Sequence, residues 1–97
     1  MALEFEWDPA KELKNIRKHG ISFTTAREVF SDPNQFVSEN YEDDFEQRYQ
    51  IIGMTQGLVL LLVVFVDRSA DSREVVRIIQ ARKAEAFEVS LYEDQIS

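Results

Sequence analysis

The run Leu58-Val59-Leu60-Leu61-Leu62-Val63-Val64-Phe65-Val66 limits what this chain can become more than any other segment. It is apolar on both faces at strand period, so it is expected to be a central strand covered on at least part of each face. As a helix it is too short to span a bilayer. Tyr49-Gln50-Ile51-Ile52-Gly53 before it, with a turn near Gly57, and Val75-Val76-Arg77-Ile78-Ile79 after it read as its antiparallel neighbours. Gln35 to Asn40 supplies a further strand. Glu42-Asp43-Asp44 and Asp67 through Ser72 read as polar loops.

Upstream, Leu3-Glu4-Phe5-Glu6-Trp7 alternates apolar and acidic side chains, as a strand with one buried face does. Asp8 is placed to cap a helix that Pro9 opens, spanning about Pro9 to His19. Leu13 and Ile16 are expected to face the core, and Gly20 to close the helix in a left-handed conformation. Ser22 caps a second short helix carrying Ala26, Val29 and Phe30, and Ser31-Asp32-Pro33-Asn34 is a turn. A closing helix from about Ala81 to Tyr92 would bury Ala84, Phe87 and Leu91. The expected fold class is α+β: βαα, then three or four antiparallel strands, then a helix.

With 97 residues, there is too little apolar surface for a second core, so one domain over residues 1–97 is expected. Cysteine is absent, which excludes a disulfide framework and a thiolate metal site. No spacing suggests any other metal centre, a glycine-rich phosphate loop or a serine nucleophile, so no metal and no cofactor are expected. The amino terminus lacks the basic and apolar regions of a secretory signal; a cytoplasmic protein without membrane attachment is the expectation. A net charge of −7 argues against a cation-covered surface. Charge is nevertheless uneven: Lys11, Lys14, Arg17, Lys18 and His19 lie together, as do Arg73, Arg77, Arg82 and Lys83. Screening acts over about 8 to 10 Å, so a local basic groove can survive on an acidic molecule.

The cations of the Arg77-Ile78-Ile79-Gln80-Ala81-Arg82-Lys83-Ala84 segment are the sharpest candidates. Arg77, on a strand beside Ile79, needs either a groove or an acidic partner, and with Arg82 it could clamp a phosphate. The competing reading is edge-strand arginines paired with surface carboxylates. Arg48 would complete a basic strip if it emerges on the face that carries Arg77. His19 has the chemistry of a proton donor or acceptor, and equally that of a helix carboxy-terminal cap. Glu6, Tyr49 and Tyr92 are further polar candidates, and Trp7 reads as core.

Taken in order, Phe5-Glu6-Trp7-Asp8-Pro9-Ala10-Lys11, Asn15, Lys18-His19-Gly20-Ile21-Ser22-Phe23, Ala26, Val29-Phe30, Asp32-Pro33, Arg48, Gly53, Val63-Val64, Arg77-Ile78-Ile79 and Ala81-Arg82-Lys83-Ala84 cover nearly the whole chain. This pattern resembles the BrnT family of toxins. The resemblance implies a compact RelE-like domain and a ribonuclease toxin of a type II toxin-antitoxin system, cleaving RNA without a metal and so inhibiting translation. It also implies neutralisation by a BrnA-type antitoxin, with DNA engaged only indirectly through that antitoxin's ribbon-helix-helix domain. Carried over as candidates are Arg48, Arg77 and His19 for catalysis, and Arg82 and Lys83 for RNA-phosphate binding. The alternative is a catalytically inactive member acting as a protein-binding or regulatory module.

Overall fold

The computed structural model describes residues 3–40 and 46–96. The expected loop at Glu42-Asp43-Asp44 lies outside the described residues. Strand β1 (Leu3–Glu6) leads into helix α1 (Pro9–His19), a single helical turn α2 (Phe23–Ala26) and a 3-10 turn (Arg27–Ser31). Strands β2 (Phe36–Asn40), β3 (Arg48–Met54), β4 (Leu60–Asp67) and β5 (Glu74–Lys83) follow, and helix α3 (Ala86–Ile96) ends the described chain. The sheet order is β1-β5-β4-β3-β2; β2 to β5 form an antiparallel meander and β1 joins β5 in parallel. The doubly apolar strand is therefore central. Residues Leu61 to Val66 are all buried.

Local chemistry sets the first half. Asp8, in extended backbone, accepts from the Ala10 amide at 2.9 Å, and Gly20 at φ 72° donates to the Ile16 carbonyl at 2.8 Å. Ser22 accepts from the Thr25 amide at 3.1 Å to open α2. Phe23, Ala26 and Val29 then reach one sheet face, where they meet Ile51, Leu61, Val63, Phe65, Val76, Ile78 and Ala81. An aromatic file runs through this core: Phe5 to Phe30, Phe30 to Phe65 and Phe65 to Tyr49, with centroids 5.2, 5.1 and 5.5 Å apart. Trp7 packs edge-on to Phe23. The 3-10 turn lies so close to β3 that a Cβ on Gly53 would stand 2.7 Å from Val29 Cβ. On the opposite face Ile52, Leu62 and Val64 pack with Tyr92 of α3.

The face of α1 differs from expectation. Leu13 and Ile16 are exposed, at 56% and 40%, while Asn15 is buried at 7%. Glu12, Asn15 and His19, spaced i, i+3 and i+7, are the less exposed positions and turn inward. The reason lies in β5, whose outer edge is unpaired beyond the end of β1. There Asn15 Nδ2 donates to the Ala81 carbonyl at 2.8 Å, and Asn15 Oδ1 accepts from the Ala81 amide at 3.1 Å. The side-chain amide thus replaces one residue of a neighbouring strand. Asn15 Nδ2 also donates to the Ile21 carbonyl, and Glu12 accepts from the Phe23 amide, tying α1 to α2. We expect Asn15→Ala to cost about 2 kcal/mol in urea unfolding, because both Ala81 groups lose their partner. Leu13→Ala should stay within about 0.5 kcal/mol.

The closing helix also begins later than expected. Residues Gln80 to Lys83 continue β5 against β4, with Val63 paired to Ala81 and Leu62 to Arg82, so Arg82 and Lys83 lie on a strand and not on a helix. A register shift between Val64 and Phe65 leaves Ile79 as an extra residue on β5. Phe87 and Leu91 are exposed at 63% and 39%, and α3 turns Glu88 and Tyr92 inward instead. Ala84 does pack against the second core, from the connection before α3. The hairpin between β3 and β4 turns at Gln56 and Gly57, as expected, the Leu58 amide donating to the Thr55 carbonyl at 3.0 Å and Leu58 itself standing at φ 63°.

Candidate active site and nucleic-acid interface

Paired residues on neighbouring strands share a face, so register decides which candidates meet. Tyr49 pairs with Phe65 in the aromatic core, which puts Arg48 on the opposite face, in line with Val66. Val66 pairs with Arg77, Arg77 with Glu6, and Arg48 with Asn40. One row across the sheet therefore reads Asn40, Arg48, Val66, Arg77, Glu6. Arg48 and Arg77 are two strands apart, about 10 Å between backbones, within mutual reach of a bound phosphate for two long side chains. The next row on this face reads Ser38, Gln50, Val64, Gln80. Beyond it, Phe36, Ile52 and Leu62 lead to Arg82 at the end that α3 covers. The face is polar at one end and apolar at the other.

The arginines differ in how firmly they are held. Arg77 Nη1 donates to Glu6 Oε2 at 2.8 Å, and both side chains are partly exposed, at 32% and 44%. Arg73 forms a two-pronged pair with Glu4, also exposed. Such surface pairs contribute little to stability and exchange readily for another anion. Arg82 is different: it donates through Nη1 and Nη2 to the two oxygens of Glu88, each at 2.8 Å, and Glu88 is 2% exposed. The Glu85 amide donates to the same carboxylate at 2.8 Å, and the Glu85 carboxylate stands 3.4 Å from Arg82. Burial works to raise the Glu88 carboxyl, but the hydrogen bonds from Arg82 and from the Glu85 amide outweigh it and hold it below the usual range.

Among the sequence candidates, then, Arg48 and Arg77 share a row; Arg82 shares their face but sits about 13 Å along it, four strand residues away on β4. Lys83, paired with Leu61, points to the other face. His19 lines a groove of about 240 Å³ with Lys11, Lys14, Asn15, Lys18, Ile79 and Gln80, and its Nε2 is buried without a hydrogen-bond partner among the described residues. Tyr49 belongs to the core, and Tyr92 donates to Asp32 at 2.6 Å. Burial, reinforced by the Asp32 carboxylate, pushes the Tyr92 phenol up to about 12, which suits it to anchoring α3. Gln50, Gln80 and Asn40 were not among the candidates; only register brings them to the arginines. The described residues include no group of three or more acidic or histidine side chains placed to hold a metal ion.

A helix-flanked antiparallel meander with paired cations on one face defines a small α+β domain of the RelE-like class. The model of the family described as "Ribonuclease toxin, BrnT, of type II toxin-antitoxin system" matches residues 7–88, and the chain belongs to this family. Among solved structures, the 1.1 Å crystal structure of the Brucella abortus ribonuclease toxin BrnT is similar, with a TM-score of 0.64 and 26% identity. The alignment covers 87% of this chain and 99% of that one. No curated protein matches the chain. No helix among the described residues is long and apolar enough to cross a membrane.

Proposed function

We propose that the chain is an endoribonuclease toxin of a type II toxin-antitoxin system, cutting single-stranded RNA by attack of a ribose 2′-hydroxyl on the adjacent phosphate. The observation that carries this reading is the row in which Arg48 and Arg77 rise from one sheet face two strands apart, in a family of ribonuclease toxins. The attacking oxygen forms a bond to phosphorus and loses its proton to a base; the 5′-oxygen leaves and takes up a proton. The products are a 2′,3′-cyclic phosphate and a 5′-hydroxyl. Arg48 and Arg77 stabilise the charge that builds on the phosphate oxygens. Glu6, ion-paired to Arg77, is the carboxylate the pairing holds beside that phosphate, and is assigned as proton acceptor. His19 is assigned as the donor to the leaving oxygen. Arg82 holds α3 in place, and Lys83 lies off this face.

The neutralising partner is proposed to be a BrnA-type antitoxin, which would also carry the pair to DNA. On α3, exposed Phe87 and Leu91 flanked by Glu85 and Glu93 suit an apolar partner surface rimmed with cations. The same surface favours the second reading, an inactive member that acts only by binding protein.

Purified, antitoxin-free chain incubated with a defined single-stranded RNA in the presence of a chelator should yield fragments ending in cyclic phosphate and 5′-hydroxyl. Intact RNA after prolonged incubation with folded protein would refute the enzyme and leave the binding module. An inactive variant purified identically is the control against contaminating ribonuclease.

A further inference from the structure

Among the described cations, two populations stand apart. Arg68, Arg73, Arg77 and Arg82 each meet a carboxylate within 2.8 Å. Lys11, Lys14 and Lys18 form no ion pair among the described residues, on a chain of net charge −7. They recur at i, i+3 and i+7 and line the same groove, so their ammonium groups follow one side of α1 over about 10 Å. Glu12, the acidic residue in that helix's first turn, is turned away to the Phe23 amide. No acidic side chain lines the groove, and its wall includes the buried, unpartnered Nε2 of His19.

Scattered surface lysines are ordinary, and on their own they would be a solvated helix face. Here the opposite wall is supplied by Ile79 and Gln80, at the bulge of β5. Gln80 also belongs to the polar sheet face, in the row next to Arg77. The lysine groove and the Arg48–Arg77 face thus meet at one residue, on the edge that β1 leaves unpaired. We infer that Lys11, Lys14 and Lys18 form a phosphate track for the RNA flanking the scissile bond, the strand passing over the β5 edge beside Gln80. This rests on the ribonuclease reading above. The track would supply affinity without reading sequence, as backbone contacts do. A protein partner with an acidic segment is the competing occupant.

The test is the salt dependence of binding to a single-stranded oligonucleotide with 2′-O-methyl riboses, which cannot be cut, followed by fluorescence anisotropy. Wild type is compared with the triple variant Lys11→Gln/Lys14→Gln/Lys18→Gln, whose exposed, helix-compatible replacements preserve the fold, as circular dichroism would check. Loss of three phosphate contacts should reduce the slope of log affinity against log salt by about 2. On a cleavable RNA, KM should rise with kcat little changed, since contacts to the phosphates flanking the scissile one hold ground and transition states alike. Arg27→Ala, a cation outside the groove, should leave the slope intact.

An unchanged slope in the triple variant would overturn the track, while cleavage by wild type would leave the ribonuclease reading standing. An unchanged slope with lost antitoxin binding would also overturn it and give the groove to protein. Absence of salt-dependent RNA binding in wild type would overturn the track, and absence of cleavage the ribonuclease reading.

Discussion

Replacing Arg77 with alanine is expected to lower RNA cleavage about 10²- to 10³-fold, the usual cost of removing one donor aimed at developing negative charge. The fold should hardly notice. The guanidinium is partly exposed and its partner Glu6 more so, so losing their contact costs at most about 1 kcal/mol and leaves a carboxylate that water can solvate. Arg77→Lys keeps the charge but loses the planar fork, and should recover only part of the rate. Glu6→Gln separates the two roles assigned to that carboxylate. As proton acceptor its loss adds a further drop in rate on top of Arg77→Ala in the double variant; as a mere brace for Arg77 it adds nothing to that drop. The measurement is single-turnover cleavage beside urea unfolding of each variant. Cleavage by Arg77→Ala at the wild-type rate would remove the guanidinium from the mechanism.

Features legible in the sequence are those that a residue creates with its immediate neighbours. Asp8, Gly20 and Ser22 each act within four positions, and the central strand declares itself by being apolar at every position from Leu60 to Val66. The end of β5 was illegible for the opposite reason. Ala81-Arg82-Lys83-Ala84-Glu85-Ala86 is strong helix-forming material, yet pairing with β4 and the Asn15 amide, 66 residues away, hold Ala81 to Lys83 extended. Once the strand runs on, the helix shifts phase, and Glu88 and Tyr92 take the inward positions that Phe87 and Leu91 were expected to fill. The site follows the same rule. Arg48 and Arg77 are visible as cations on strands, but their common face depends on the register of three strands. The lysine spacing on α1 is plain in the sequence; Gln80 across from it is not, because a bulge places it there.

The assignment of Arg82 to structure and Arg77 to chemistry makes a second large effect predictable. Glu88→Gln keeps the side-chain shape but removes the charge that faces Arg82, and should destabilise the fold by about 3 kcal/mol, the lower end for breaking a buried pair. The lower end applies because Arg82 is 24% exposed and the Glu85 carboxylate at 3.4 Å remains as a partial substitute. Replacing both members, Arg82→Met with Glu88→Leu, should restore most of the loss, since neither charge is then buried alone. The pH dependence has a definite sign. Glu88 and Asp32 are both held below the ordinary carboxyl range despite burial, Glu88 by Arg82 and the Glu85 amide, Asp32 by Tyr92 and the amides of Met54 and Asn34. Both carboxylates fasten α3 to the rest of the fold, Glu88 from the helix to Arg82 and Asp32 to Tyr92 on the helix, so their stabilisation is complete above the ordinary carboxyl range and is lost as pH falls through the lowered values. In Glu88→Gln that acid sensitivity should shrink to the share of Asp32. Were Arg82 instead a phosphate ligand, releasing it from Glu88 would raise RNA affinity with little loss of stability. Urea unfolding and RNA binding of the one variant therefore decide between the two roles.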